Sequence, residues 1–308
     1  MKAALAIAAA ALAAPLAAPA APTLPAPPGT AAPSALPAHF GTAAPSALPA
    51  VSAPIAHDVA VRISSWGPRP AASATEARAH RLIARTFRDA GLRVAVQAFN
   101  VPGRGRSRNV IGTLDTPSSC LRIAMAHTDS APSAPGANDN ASGLGVVAAL
   151  ASRLRAIKPG CDVWLVATGA EERVYTGSPD HLGALALARR ARARGARDRL
   201  EWALSLDEVG RDRPFWLRSP AAAPRPQVEG ALLRAARRAR VSVSWVRDES
   251  TGNSDHREFE LLGLPGLKLG VGAGGEPCRH TACDRPERLD PTSLLLARRL
   301  VEAALSGR

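Results

Sequence analysis

The sequence predicts an α/β fold, a three-layer α/β/α sandwich around a mixed, mostly parallel central sheet. Three observations predict it. From about residue 57, strand-length apolar runs alternate with helix-length segments. The runs LRIAMAH, DVWLVAT and WALSLD lack strict polar alternation, which suits central strands buried on both faces. Each run also ends on, or just before, acidic or imidazole residues: His127 and Asp129, Glu171 and Glu172, Asp207. Loops beyond the carboxyl ends of parallel strands share one crevice, so residues about 150 positions apart can converge there.

Residues 1–20 read as a signal peptide. Met1-Lys2 is a positive start, AALAIAAAALAA is too short to span a bilayer, and Ala18-Pro19-Ala20 offers a cleavage site. A secreted or periplasmic protein without a membrane span is expected, and the absence of a cysteine after the apolar run argues against a lipid anchor. Residues 21–56 form an Ala/Pro-rich linker in which GTAAPSALPA occurs at 29–38 and again at 41–50. Residues 57–308 are expected to form one catalytic domain.

Within that domain, Ser73 to Glu76 is a capping box that opens a helix ending at Ala90, with Gly91 as its stop signal. VAVQAFNV and RNVIGTLD flank the turn Pro102-Gly103 and predict an antiparallel pair. Strand 121–127 leads to a helix near 141–157, and strand 162–168 leads by a long loop to a helix near 181–195. Strand 201–207 precedes a short strand near 214–218 and a helix near 226–239. Strands 241–247 and 265–271 follow, and a helix near 291–306 closes the chain.

The net charge of +13 raises the question of nucleic acid. Arginine supplies 36 of the 39 basic residues, mostly along helical stretches such as 186–199 and 231–240, as on solvated faces. Few aromatic residues interleave with them to stack bases, so no nucleic-acid partner is expected. Four cysteines in an exported chain predict two disulfides. Cys278 and Cys283 bracket His280, while Cys120 and Cys161 stand before two runs that read as neighbouring parallel strands. A cysteine-rich zinc site is the rival reading, but no C-x-x-C spacing occurs.

The strand ends carry the chemistry. Successive side chains on an extended segment point to opposite sides, so one of Glu171 and Glu172 can ligate a metal while its neighbour reaches water beside it. Asp129 is placed to accept the second ring N–H of a metal-binding His127. Asp139 lies in the small-residue segment PGANDNASG between a strand and a helix. Four carboxylates at 139, 171, 172 and 207 clustered without cations would repel one another, so the site calls for metal. Histidine and carboxylate ligands suit zinc.

The ordered set AHTDS, PGANDNASG, GAEE, TGS, SLDEVG, SDHREF and CRHTACD resembles the secreted zinc aminopeptidases of family M28 and spans residues 127–284. The resemblance implies a zinc-exopeptidase-like fold and two zinc ions per chain. His127 and Asp207 would hold one ion, Glu172 and His280 the other, with Asp139 bridging and Glu171 as general base. It also implies the Cys278–Cys283 bridge. Departures exist: Arg279 stands where the family often has a tyrosine, Asn140 where an aspartate is common, and Val174 where a glycine is usual. An oxyanion partner is therefore sought in Arg279, in Tyr175 or in a backbone N–H. Asp255 in NSDHREF either lines the site or supports it structurally, and His57, His80 and His181 are expected at the surface.

The function so implied is a monomeric metallo-aminopeptidase acting on peptides with a free N-terminus. The alternatives are a glutaminyl-peptide cyclotransferase using one zinc on Asp139, Glu172 and His280, a carboxypeptidase-type member of the same fold, and a non-enzymatic binding module. The complete ligand set argues against the last.

Overall fold

Helix formation starts earlier than the sequence predicts. The computed structural model describes residues 53–308, except 212–213, 221–223, 249–251, 273–274 and 307–308. Helix α1 (Ala53–Ser64) begins inside the range assigned to the linker. Its reason is burial: Ala56, Ala60 and Ile63 are fully enclosed at helical spacing. The signal peptide, both repeats and the rest of the linker lie outside the described residues.

Helix α2 (Ala74–Asp89) is capped by Ser73, whose hydroxyl accepts from the Glu76 N–H at 3.1 Å. Only half of the expected box forms, because the Glu76 carboxylate turns to the Ala72 N–H at 2.8 Å instead. The strands are β1 (Arg93–Val101), β2 (Gly105–Leu114), β3 (Leu121–His127), β4 (Asp162–Thr168), β5 (Leu200–Asp207), β6 (Phe215–Pro220), β7 (Val243–Asp248) and β8 (Gly266–Gly270). They form one sheet in the order β1-β2-β4-β3-β5-β8-β6-β7. β4, β3, β5 and β8 run parallel at its centre. The hairpin β1–β2 adds antiparallel to β4, and β6 adds antiparallel to β8 with β7 parallel to it. This is the mixed, mostly parallel sheet expected.

The register places His127 beside Thr168, and Asp207 beside Gly270. The carboxyl ends of the four central strands therefore open on one edge, which is what gathers the site. On one face pack α1, α2, α3 (Ser142–Ile157), α6 (Pro226–Ala239) and α8 (Pro291–Leu305), enclosing Leu144, Leu150, Leu204, Leu269 and Leu300. On the other face lie α4 (Leu182–Ala193), the single turn α5 (Ala196–Arg199) and α7 (His256–Leu261), with Leu187, Ala191 and Phe259 against Ile123, Met125 and Val166. Helix α7 was not predicted.

Helix α3 meets the sheet closely at its first turn. A Cβ on Gly143 would sit 2.2 Å from the Leu206 carbonyl oxygen and 2.8 Å from the Ala126 Cβ, so only glycine lets the helix start directly above β3 and β5. Both expected disulfides are present. Cys120–Cys161 ties the starts of β3 and β4 with 4.9 Å between Cα atoms, and Cys278–Cys283 closes a short ring around His280 with 5.2 Å. Among the described residues no helix is long and apolar enough to cross a membrane.

Candidate metal centre

Four loops supply the site. His127 ends β3, Glu171 and Glu172 follow β4, and Asp207 ends β5. Asp139 comes from the irregular turn Ala137–Ala141 that leads into α3, and His280 from the disulfide ring. These six side chains line a cavity of about 270 Å³ with Arg173, Val174, His181, Glu208, Asn253, Lys268 and Arg279. A larger groove of about 1170 Å³ lies elsewhere, around Trp202, Gln227 and Pro265, and holds none of these groups.

The ligand-type atoms fall into two triads. Those of His127, Glu171 and Asp207 lie within 4.8 Å of one another, and those of Asp139, Glu172 and His280 do the same. Asp139 reaches both: its Oδ1 is 3.1 Å from His127 Nε2 and its Oδ2 is 3.2 Å from His280 Nε2. Asp207 Oδ1 is 3.5 Å from His127 Nε2, and Glu172 Oε2 is 3.2 Å from His280 Nε2. Neither Asp207 Oδ1 nor Glu172 Oε1, both buried, accepts a hydrogen bond from the described residues. Buried carboxylate oxygens without a donor, grouped with imidazole nitrogens in this way, fit zinc.

Electrostatics point the same way. Burial opposes charge on His127, yet Glu171, Asp139 and Asp207 carry its protonation well above the ordinary histidine range. Burial together with Glu172 and Asp207 raises Glu171 well above an ordinary carboxyl, and burial with Asp139 beside it raises Glu172 to about 8. Such crowding is relieved by cations in the cavity.

The supporting residues are specific. The Asp129 carboxylate was expected on His127, but it lies 3.8 Å from Nδ1, and the Asp129 backbone carbonyl takes that position at 3.1 Å. The carboxylate instead accepts the backbone N–H groups of Glu171 at 3.0 Å and Glu172 at 2.9 Å. Fully buried Arg69 donates to the carbonyls of Thr128, Pro135 and Gly136, closing the loop between His127 and Asp139. Lys268 projects from β8 and donates to Asp207 Oδ2 at 2.6 Å, where Ser254 also donates at 2.8 Å. The Asp284 carboxylate accepts from the N–H groups of Asn138 at 2.7 Å and Asp139 at 3.0 Å.

Tyr175, Asp255 and Arg279 take different positions. The Tyr175 hydroxyl donates to the Ser130 carbonyl at 2.6 Å and is outside the cavity lining. Asp255 is fully buried beneath the site, accepting from the Thr168 hydroxyl at 2.5 Å, and also does not line the cavity. Arg279 lines it, but Nε and Nη2 of its fork are both engaged by the Glu208 carboxylate.

Among the histidines expected at the surface, His57 is half-buried, whereas His80 and His181 are each 1 % exposed. His80 falls on the inner stripe of α2 with Glu76, Ile83 and Phe87. His181 lines the cavity, 3.4 Å from Glu171. Lys268 carried a legible signal, a lone charge inside the apolar strand GLKLG, that sequence reasoning passed over.

Comparison with known proteins extends the picture. The model of peptidase family M28 matches residues 109–305. Aminopeptidase YwaD of Bacillus subtilis (strain 168) is 28% identical over 214 residues, covering 65% of this chain and 44% of that protein. The chain's match thus spans less than half the length of that curated relative. A solved zinc aminopeptidase from Bacillus subtilis aligns with a TM-score of 0.73 at 19% identity, over 82% of this chain and 94% of its own. A glutaminyl cyclase from Bacteroides thetaiotaomicron aligns at 0.69 and 20%, over 83% and 98%.

Proposed function

The chain belongs to peptidase family M28, and from that premise we propose a secreted, zinc-dependent aminopeptidase with two zinc ions per chain. The observation that carries the reading is Asp139, whose two oxygens face His127 on one side and His280 on the other. His127 and Asp207 would hold one ion, Glu172 and His280 the second, and Asp139 both. When bound, the ions supply Lewis acidity toward a peptide carbonyl and lower the pKa of nearby water.

The chain's own groups do the rest. Glu171 belongs to the first triad by distance, yet its role here is proton transfer. Glu171 faces the cavity beside the two histidine-bearing triads, so its carboxylate is placed to take a proton from water and return it to the departing amine nitrogen. Lys268 and Ser254 fix the outer oxygen of Asp207 and leave Oδ1 facing the cavity. Asp129 fixes the backbone of both glutamates at once. The similarity to Aminopeptidase YwaD of Bacillus subtilis is the reason for an N-terminal exopeptidase. The two disulfides support an oxidising, extracellular or periplasmic setting.

A one-zinc cyclotransferase would need only Asp139, Glu172 and His280 and would leave the His127–Asp207 pair without a task. Zinc stoichiometry on purified protein, run beside peptides with free and blocked N-termini, separates the readings. Two ions per chain and cleavage of free peptides alone are expected. One ion with ring closure of N-terminal glutamine, or cleavage of blocked peptides, would overturn the proposal.

A further inference from the structure

The basic side chains lining the cavity are Arg173, Lys268 and Arg279. Lys268 is engaged by Asp207 at 2.6 Å, and the fork of Arg279 is engaged by Glu208. Arg173 is exposed, and no described residue accepts from its guanidinium or pairs with it. Its backbone is nevertheless fixed from both sides. Asp129 accepts the Glu172 N–H at 2.9 Å just before it. Tyr175, at the end of the same short turn, donates to the Ser130 carbonyl at 2.6 Å and accepts from Arg104 at 2.9 Å. A cation anchored at its base and unpaired at its tip is available to a ligand in the cavity. The guanidinium is a planar fork of donors that matches a carboxylate through two parallel hydrogen bonds.

The side of the cavity on which Arg173 stands decides which part of a substrate it meets. Glu172 is extended, with φ -65° and ψ 102°, so the side chains before and after it, Glu171 and Arg173, fall on the same side of the chain. Glu171 is the proposed base that returns a proton to the departing amine, so the released residue leaves on that side as well. We propose that Arg173 is a specificity-determining residue that binds a carboxylate on the second residue of the substrate, the one released by the cut. That carboxylate comes either from the free C-terminus of a dipeptide or from an acidic side chain in a longer peptide. The inference rests on the aminopeptidase reading and names the substrates it favours.

Twin substrates that differ only in this charge provide the test, each carrying the N-terminal residue that the parent cleaves fastest. One pair is a dipeptide ending in glycine and its amide. The other is a dipeptide amide with aspartate second and its asparagine counterpart. In the parent, kcat/KM is expected to be about tenfold higher for the carboxylate member of at least one pair, a modest factor because the arginine is exposed. The pair that shows it identifies the source of the carboxylate. Arg173→Met should bring that ratio to about one, and Arg173→Glu should invert it. A ratio within a pair cancels any general loss of folded or metal-loaded protein, so it is read even in a weakened variant. A parent that treats the members of both pairs alike, or a preference that survives in either variant, overturns the inference and leaves the aminopeptidase reading standing. A parent inactive on every free-N-terminus peptide overturns that reading and this inference with it.

Discussion

The carboxylate of Asp129 and the backbone N–H of Glu172 are joined by a 2.9 Å hydrogen bond, and the other oxygen of the same carboxylate holds Glu171 at 3.0 Å. One buried side chain thus sets the path of two adjacent residues with different proposed tasks. Asp129→Asn keeps the size but turns an NH₂ toward one of the two donors. A loss of ten- to a hundredfold in zinc affinity or kcat is expected, read by metal competition titration and steady-state kinetics. Unchanged values in both would show that Asp129 is not what holds this segment.

Zinc removal should weaken the fold as well as the activity. Glu172 is pushed to about 8, and Glu171 well above the ordinary carboxyl range, by burial among other carboxylates, a cost that bound cations offset. A ligand at a hundred times its Kd stabilises by about 2.7 kcal/mol. Thermal unfolding with and without a chelator is expected to show a lower Tm in the chelated sample, restored by added zinc.

Arg279 and Glu208 form a bidentate pair across the cavity wall, with Glu208 almost wholly buried and Arg279 partly in solvent. Arg279→Ala strands the Glu208 carboxylate near Lys268, which is 3.8 Å away. Solvent screening at the arginine end keeps the expected cost to about 1–2 kcal/mol, below that of a fully buried pair. Glu208→Gln in the same background should return part of it, as urea denaturation would reveal. Because the fork is occupied, kcat in Arg279→Ala is expected to fall less than about tenfold; a loss of a thousandfold would restore the oxyanion role suggested by its sequence position.

Gly143→Ala tests the seat of α3. The new methyl would lie 2.2 Å from the Leu206 carbonyl oxygen, and backbone at a strand cannot move aside cheaply. A destabilisation of about 3 kcal/mol is expected, with a shift of β5 that carries Asp207 with it. Gly230→Ala is the comparison: it lies inside α6 and its Cβ meets only the Arg234 side chain at 3.2 Å, so stability should rise by about 0.5–1 kcal/mol.

His80 supplies the pH dependence. Burial lowers its pKa to about 3, against about 6.5 in an unfolded chain. The folded state keeps the ring neutral while the unfolded chain takes up a proton. The penalty is absent above pH 6.5, grows as pH falls through that value and levels off below about 3. At pH 5 it amounts to about 2 kcal/mol. His80→Gln cannot titrate, so its stability difference between pH 7 and pH 5 should be smaller than the parent's by about that amount.

What the sequence disclosed follows from what leaves a local trace. The central strands were legible because buried parallel strands are continuous apolar runs, and His127 and Asp207 because they terminate them. Helix α1 was hidden by an Ala/Pro-rich neighbourhood, although its own Ala56 and Ala60 are core residues. Helix α7, HREFEL, is too short and too charged to show a period. His181 follows a loop with no periodic signal, and its burial comes from α7 arriving from 77 residues away in sequence. Asp129 was expected on His127, but its carboxylate accepts the N–H groups of Glu171 and Glu172 from a segment over 40 residues away, a pairing no spacing rule resolves.

Asp284 follows Cys283 directly, and its carboxylate holds the N–H groups of Asn138 and Asp139. The Cys278–Cys283 ring therefore governs two ligand loops, its own through His280 and a distant one through Asp284. A reductant that opens this ring acts on both histidine–Asp139 contacts at once, including the one to His127 that it never approaches. For the proposed pair of ions, loss on reduction should then be concerted, both leaving together, rather than the ordered release of one weak site followed by one strong one.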